Sequence, residues 1–236
     1  MALPFFYIEN IDANVSEVTL NEETSKHIVQ VLRMQNGEQL NLTDGKGNLY
    51  TATVSDNNKK NCKVEINSKS QNPKSKNHTS IAISILKNAT RFEWFLEKAT
   101  EIGVSEIIPL ICERTERTHF RHERMNSILI SAMLQSQQTW LPLLHQPKKF
   151  GDLVISQFDD CKKFIAHCEE DNKQTLSNHQ IIKSPNQLIL IGPEGDFTRQ
   201  EIELALKNNF IPVSLGNTRL RSETAGIVAT TLLNCK

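Results

Sequence analysis

Two short runs near the C-terminus carry the residue types best suited to hold a small ligand: Ile191-Gly192-Pro193-Glu194-Gly195-Asp196 and Leu215-Gly216-Asn217-Thr218-Arg219-Leu220-Arg221-Ser222-Glu223-Thr224-Ala225. Glycine lets a ligand approach the backbone, and loops that follow parallel strands expose N–H and C=O groups where ligands collect. Neither run is a phosphate cradle. The chain has no G-x-x-x-x-G-K-[ST], and Gly45 and Gly47 lack the third glycine of a dinucleotide fingerprint, so a nucleoside triphosphate or NAD is disfavoured.

The elements that must hold these runs can be read beside them. Leu188 to Ile191, bounded by Pro185 and Gly192, has the pattern of a buried parallel strand. Thr198 and Glu201 stand at capping-box spacing before a helical run through Ile202, Leu204, Ala205 and Leu206. Phe210 to Leu215 repeats the strand pattern, and Ser222 with Glu223 opens a last helix through Ala225, Val228, Ala229 and Leu232. Two strand ends therefore present adjacent loops at one edge.

The pair "IGPEGDFTRQEI" and "LGNTRLRSETA" resembles the signature of the ribosomal RNA small subunit methyltransferase E family, S-adenosylmethionine enzymes of the SPOUT class. "HIVQVLRMQNGEQLNLTDGKGNLYTATV" and "FEWFLEKATEIGVSEIIPL" resemble further segments of the same family. The resemblance implies an α/β chain with a small N-terminal PUA-like β-barrel (1–70), a linker (71–78) and a C-terminal SPOUT domain (79–236) with a mostly parallel sheet and a deep trefoil knot. It implies S-adenosylmethionine held by His167, Ile191, Gly192, Pro193, Glu194, Gly195, Leu215, Gly216, Leu220, Arg221 and Thr224, with no metal. It further implies a homodimer acting on N3 of a uridine in 16S ribosomal RNA of the small subunit. Uracil N3 must lose a proton before it can accept a methyl group, so a base or a cation is needed, and Arg221 and Glu223 are the catalytic candidates. Three positions depart from the family pattern: Leu134 replaces an acid, Gln138 an arginine, and Asp196 a glycine.

Upstream, short β-like runs with turn signals at Asn36-Gly37 and Gly45-Lys46-Gly47 suggest a barrel-like domain. One helix, Glu22 to Met34, interrupts it, with Ile28, Val31 and Leu32 as its apolar stripe. Lys26, His27 and Arg33 read either as its solvated face or, by the resemblance, as contacts to RNA phosphates. The polar stretch Ser68 to His78 reads as a linker. Ile81 to Leu86, a helix from about Arg91 to Gly103, and Glu106 to Ile111 form a βαβ unit, with Phe92, Trp94 and Phe95 read as core. Arg114, Arg117, Arg121 and Arg124 make a phosphate-contact patch or a salt-bridged helix start. His119 and His122 lack a third metal ligand. A helix follows from Met125 to Gln138, then a strand at Phe164 to His167 and a weakly helical connection from Asn172 to Lys183.

The 236 residues suffice for a sizeable core, and Lys+Arg and Asp+Glu both number 27, which excludes a generally basic coat for nucleic acid. Cys62, Cys112, Cys161, Cys168 and Cys235 are scattered, as in reduced cytosolic proteins. The N-terminus lacks a charged leader and a long apolar run, so a cytoplasmic protein without membrane partners is expected. A ribose 2′-O-methyltransferase on the same scaffold and a non-catalytic RNA-binding protein remain the competing readings.

Overall fold

Strands with apolar residues at every second position need a single covered face, and the first part of the chain builds one. The computed structural model describes residues 3–11, 16–156, 158, 160–169, 173–177 and 185–234. It divides into two compact units, Met1–Lys74 with Met133–Leu141, and Ser75–Ala132 with Pro142–Lys236. Cys235 and most of the connection expected from Asn172 to Lys183 lie outside the described residues.

The first unit holds β1 (Phe5–Tyr7), β2 (Glu17–Thr19), α1 (Glu22–Lys26), β3 (Gln39–Thr43), β4 (Asn48–Asp56) and β5 (Lys63–Gln71). Its sheet runs β1-β3-β4-β5-β2, with β1 parallel to β3 and the other pairs antiparallel. Leu40, Leu42, Ala52, Val54 and Val64 alternate inward and close over Ile28. Ser68 to Gln71, expected in the linker, instead continues β5 against β4. Both faces are exposed there, which is why the sequence is polar.

The helix after Asn21 differs from its expected form. Five α-helical residues give way to a π-helical turn, His27–Val31, in which Leu32 N–H donates to His27 O at 3.0 Å. The wider turn moves the following side chains off the 3.6-residue stripe. Ile28 stays buried, but Val31 is 68% and Leu32 43% exposed. Arg33, at φ 56, ends the element.

Met133–Leu141, which the sequence assigns to the C-terminal domain, belongs to this first unit. Leu141 N–H donates to Gly45 O, Gly47 N–H to Thr139 O, and Trp140 Nε1 to Asn72 O at 3.1 Å. Gly47 sits at φ 90, and a Cβ there would lie 2.4 Å from the Trp140 ring. Glycine is thus required on both conformational and steric grounds.

The second unit contains β6 (His78–Ser84), α2 (Ala89–Ile102), β7 (Glu106–Ile111), α3 (His122–Gln135, whose last residues fall in the first unit), β8 (Leu143–Leu144) and β9 (Lys148–Lys149). Then come α4 (Phe150–Val154), β10 (Cys161–Ala166), β11 (Gln174–Thr175), β12 (Asn186–Ile191), α5 (Arg199–Lys207), β13 (Ile211–Ser214) and α6 (Ser222–Asn234). The sheet order is β11-β13-β10-β12-β6-β7-β8, with β9 also on β7, and every pair is parallel. Leu188 to Ile191 is buried because helices cover both faces. Leu188 and Leu190 meet Leu153, Ile202 and Ala205 of α4 and α5, while α2 and α6 pack on the other side.

Phe92 and Phe95 are buried on α2 as expected, but Trp94, read as core, is 44% exposed on the helix's outer side. Gly103 caps α2 at φ 92. The chain order across the sheet creates a switch. From β12 it passes β10 to reach β13, and α6 then returns to pack on α2, β6 and β12. Among the described residues no helix is long and apolar enough to cross a membrane.

Candidate active site

The switch brings three strand ends side by side, because Ala166 of β10 is in register with Ile191 of β12 and with Val213 of β13. Two cavities of about 350 Å³ each open over these ends. They share Ala166, Cys168, Arg219, Leu220 and Ala225, so they form one continuous cleft. Its size suits a small-molecule ligand.

The loop after β12 is fixed from several sides. A Cβ on Gly192 would lie 3.2 Å from Phe197, so a larger residue is crowded there. Asp196 adopts φ 63, the left-handed backbone that a glycine would otherwise supply. Its Oδ2 accepts from Cys168 N–H at 2.7 Å, tying this loop to the end of β10. Glu194 accepts from Lys87 N–H at 3.1 Å, and Arg114 Nη1 donates to Gly195 O at 2.7 Å. The capping box is complete: the Thr198 and Glu201 side chains each accept the other's backbone N–H. Glu201 Oε1 also accepts from Glu113 N–H at 2.9 Å.

The run after β13 forms the opposite wall. Gly216 sits at φ 150, and Leu215, Leu220 and Ala225 supply apolar surface. Of the residues expected to bind the cofactor, His167, Leu215 and Gly216 line one cavity, Ile191, Gly192, Pro193, Glu194 and Arg221 the other, and Leu220 both. Gly195 and Thr224 line neither cavity, and Gly195 instead contributes its carbonyl to the Arg114 anchor. Glu223 is buried behind the wall, facing Arg91 of α2 with Nε to Oε1 at 3.6 Å, not Arg221.

The sequence reading omitted several lining residues. Lys173 and Val213 lie outside the two signature runs, Arg219 lies inside one without a role of its own being assigned, and Cys168 reads in sequence only as one of five scattered thiols. Cys168 is exposed and lines both cavities. Partial burial, then the Asp196 carboxylate, push its thiol pKa up despite Arg219 and Lys173 nearby. The neutral thiol is a weak nucleophile.

The expected RNA contacts are dispersed. Lys26 pairs with Glu22 at 2.8 Å, His27 stands edge-on to Phe6, and Arg33 is exposed. In the other unit Arg114 anchors the glycine loop and Arg124 forks onto Glu93 at 2.6 and 2.9 Å, which leaves Arg117 and Arg121 of the arginine run. His122 Nε2 lies 3.0 Å from Leu144 O.

A parallel α/β unit with a cleft at a strand switch, preceded by a small β domain, defines an RNA-modifying enzyme of the methyltransferase class: residues 73–234 match the RNA methyltransferase domain and residues 20–67 the RNA methyltransferase PUA domain. A ribosomal RNA small subunit methyltransferase E of Buchnera aphidicola is 30% identical, with 98% of this chain and 92% of that protein covered. The enzyme of the same name from Neisseria gonorrhoeae, solved bound to S-adenosyl methionine, is 28% identical over 99% of this chain and 98% of that one, with a TM-score of 0.89. A solved structure from Porphyromonas gingivalis is 36% identical over 99% of both chains, with a TM-score of 0.91. The chain belongs to the ribosomal RNA small subunit methyltransferase E family.

Proposed function

We propose that this protein is an S-adenosylmethionine-dependent methyltransferase that modifies N3 of a uridine in 16S ribosomal RNA. The observation that carries the reading is the cleft over β10, β12 and β13, walled by both signature runs. Its residues suit the cofactor: Ile191, Leu215, Leu220 and Ala225 offer an apolar slot, Gly192 and Gly216 bare backbone, and Asp196 a carboxylate that complements a sulfonium. When bound, S-adenosylmethionine supplies an electrophilic methyl group. The chain's contribution is positioning, and alignment of reacting groups supplies roughly 7–11 kcal/mol in favourable cases. Arg221, at the rim, is a cation available to the charge that develops on the uracil oxygens.

The same reading includes a homodimer and a trefoil knot. Ile227, Val228 and Leu232 on α6, apolar and only partly buried, support the first. The path from β12 around β10 to β13, and the return of α6, support the second. Arg117, Arg121, Lys26, His27 and Arg33 are the proposed phosphate contacts, and the small ribosomal subunit is the proposed substrate.

The test is to incubate the protein and labelled S-adenosylmethionine with small subunits lacking the modification, digest the 16S RNA and identify the labelled nucleoside by mass spectrometry. Label in 3-methyluridine is expected. Label in a 2′-O-methyl nucleoside would overturn the acceptor atom, and no label with competent subunits would overturn the activity.

A further inference from the structure

The cleft wall carries a charge that the family pattern does not supply. Asp196 stands where a glycine is expected, and its backbone keeps the left-handed form, at φ 63, that a glycine would adopt freely. What the aspartate adds is a side chain with both oxygens engaged. Oδ2 accepts from Cys168 N–H at 2.7 Å and Oδ1 from Phe197 N–H at 2.8 Å. Two backbone donors thus hold the carboxylate in one orientation.

Its place is beside the junction of the two cavities. Asp196 lines the one on the β12 side, and Cys168, which it holds, lines both, together with Ala166, Arg219, Leu220 and Ala225. A ligand with two ends that fills the whole cleft brings its middle to this junction. In S-adenosylmethionine the middle is the sulfonium, which joins the adenosyl part to the methionine part. The other charged side chains of the lining do not supply an anion there. Arg219, Lys173 and Arg221 are cations, and Glu194 is exposed and accepts from Lys87 N–H at 3.1 Å. Asp196 is the carboxylate that offsets Arg219 where the two cavities meet.

We infer that Asp196 is a specificity-determining residue, whose carboxylate biases the cleft towards the positively charged cofactor and against its neutral product, S-adenosylhomocysteine. This rests on the reading of the cleft as an S-adenosylmethionine site and is independent of the acceptor atom. When the methyl group passes to the acceptor, the carbon–sulfur bonding pair stays on sulfur, and the sulfonium becomes an uncharged thioether. Apolar contacts and hydrogen bonds to the two ends of the ligand are common to both species and cannot tell them apart. A fixed negative charge near the sulfur can, and it limits product inhibition.

The experiment titrates wild type, Asp196→Asn and Asp196→Gly with S-adenosylmethionine and with S-adenosylhomocysteine in a calorimeter, at low and high salt, with a melting curve for each protein. Asparagine keeps the side chain's size and removes its charge; glycine removes the side chain and adopts φ 63 without strain. In both variants the ratio of cofactor affinity to product affinity is expected to fall about tenfold, the scale of one charge–charge interaction in a part-exposed site. Salt should lower the wild-type ratio more than that of either variant. In turnover on unmodified small subunits, the variants should be inhibited at a lower proportion of product to cofactor. Equal weakening of both ligands would reduce Asp196 to a tie between two loops and overturn the inference, as would an unchanged ratio. A wild type that binds neither ligand would instead overturn the cofactor reading itself.

Discussion

Gly226 lies inside α6, where alanine would ordinarily stabilise the helix by about 1 kcal/mol. Here the expected sign is reversed. A Cβ on Gly226 would lie 2.6 and 2.8 Å from two ring carbons of Phe95 and 3.1 Å from Ile83 Cδ1. Ordinary carbon contacts lie at ~3.5–4.0 Å, so the ring must retreat by roughly 1 Å. Phe95 is fully buried and has no free volume to enter. Overpacking of this kind costs ~1–3 kcal/mol. The helical gain offsets part of it, which leaves Gly226→Ala destabilised by about 1 kcal/mol and at most about 2. The displaced α6 also carries Ser222 and Ala225 of the cleft wall, so cofactor affinity should fall with stability. Urea unfolding measures the first and calorimetry the second. Phe95→Leu in the same chain should relieve the clash, so the double variant must be more stable than the sum of the single changes predicts. A Gly226→Ala protein as stable as wild type, or additive behaviour of the pair, would refute the steric argument.

Arg114→Ala removes the donor to Gly195 O; a net loss near 1 kcal/mol should weaken cofactor binding by about fivefold, and unchanged affinity in calorimetry would count against the anchoring role. Cys168 should be alkylated by iodoacetamide with a pH midpoint above that of a free thiol, because burial and Asp196 hold its pKa up; a midpoint at or below the free value, read by peptide mass mapping, contradicts this. Glu106 is pushed up by burial, but hydrogen bonds from Ser80, His145 and His78 outweigh that and hold its pKa below the usual carboxylate value of 4.5. A lowered folded pKa means that the stabilisation is present above the unfolded value and is lost as pH falls through the folded one. Glu106→Gln should therefore be less stable than wild type at neutral pH and converge with it on acidification below about 4.5; a gap that persists at low pH in denaturation curves would rule this out.

What the sequence disclosed followed the range of each interaction. Thr198 and Glu201 are three residues apart, and the capping box they announced is present in full. The apolar run ending at Ile191 was recognisable as a covered strand, and the following glycine loop as part of a ligand site. Longer-range geometry stayed hidden. The π-turn at His27–Val31 broke a helical stripe that spacing alone had projected onto Val31 and Leu32. Trp94 resembles its neighbours Phe92 and Phe95 in type but points away from the core they share. Asp196 appeared out of place in the family pattern. The fold accounts for it through a left-handed backbone and a bond to Cys168 N–H, a partner that only the sheet order brings near. Glu223 is named beside Arg221 as a catalytic candidate by its place in the signature run, whereas the packing of α6 on α2 faces it towards Arg91.

The segment Met133–Leu141 gives the N-terminal unit a debt to sequence far downstream. Trp140 rests on Gly47, and Thr139 and Leu141 bond the Gly45–Gly47 turn, so this unit is assembled from two stretches of chain that are translated far apart. A ribosome emitting the first 74 residues has not yet delivered that part of the unit's packing. Cotranslational completion must wait for Leu141, and a gene fragment severed within residues 72–77 would not be a transplantable cassette.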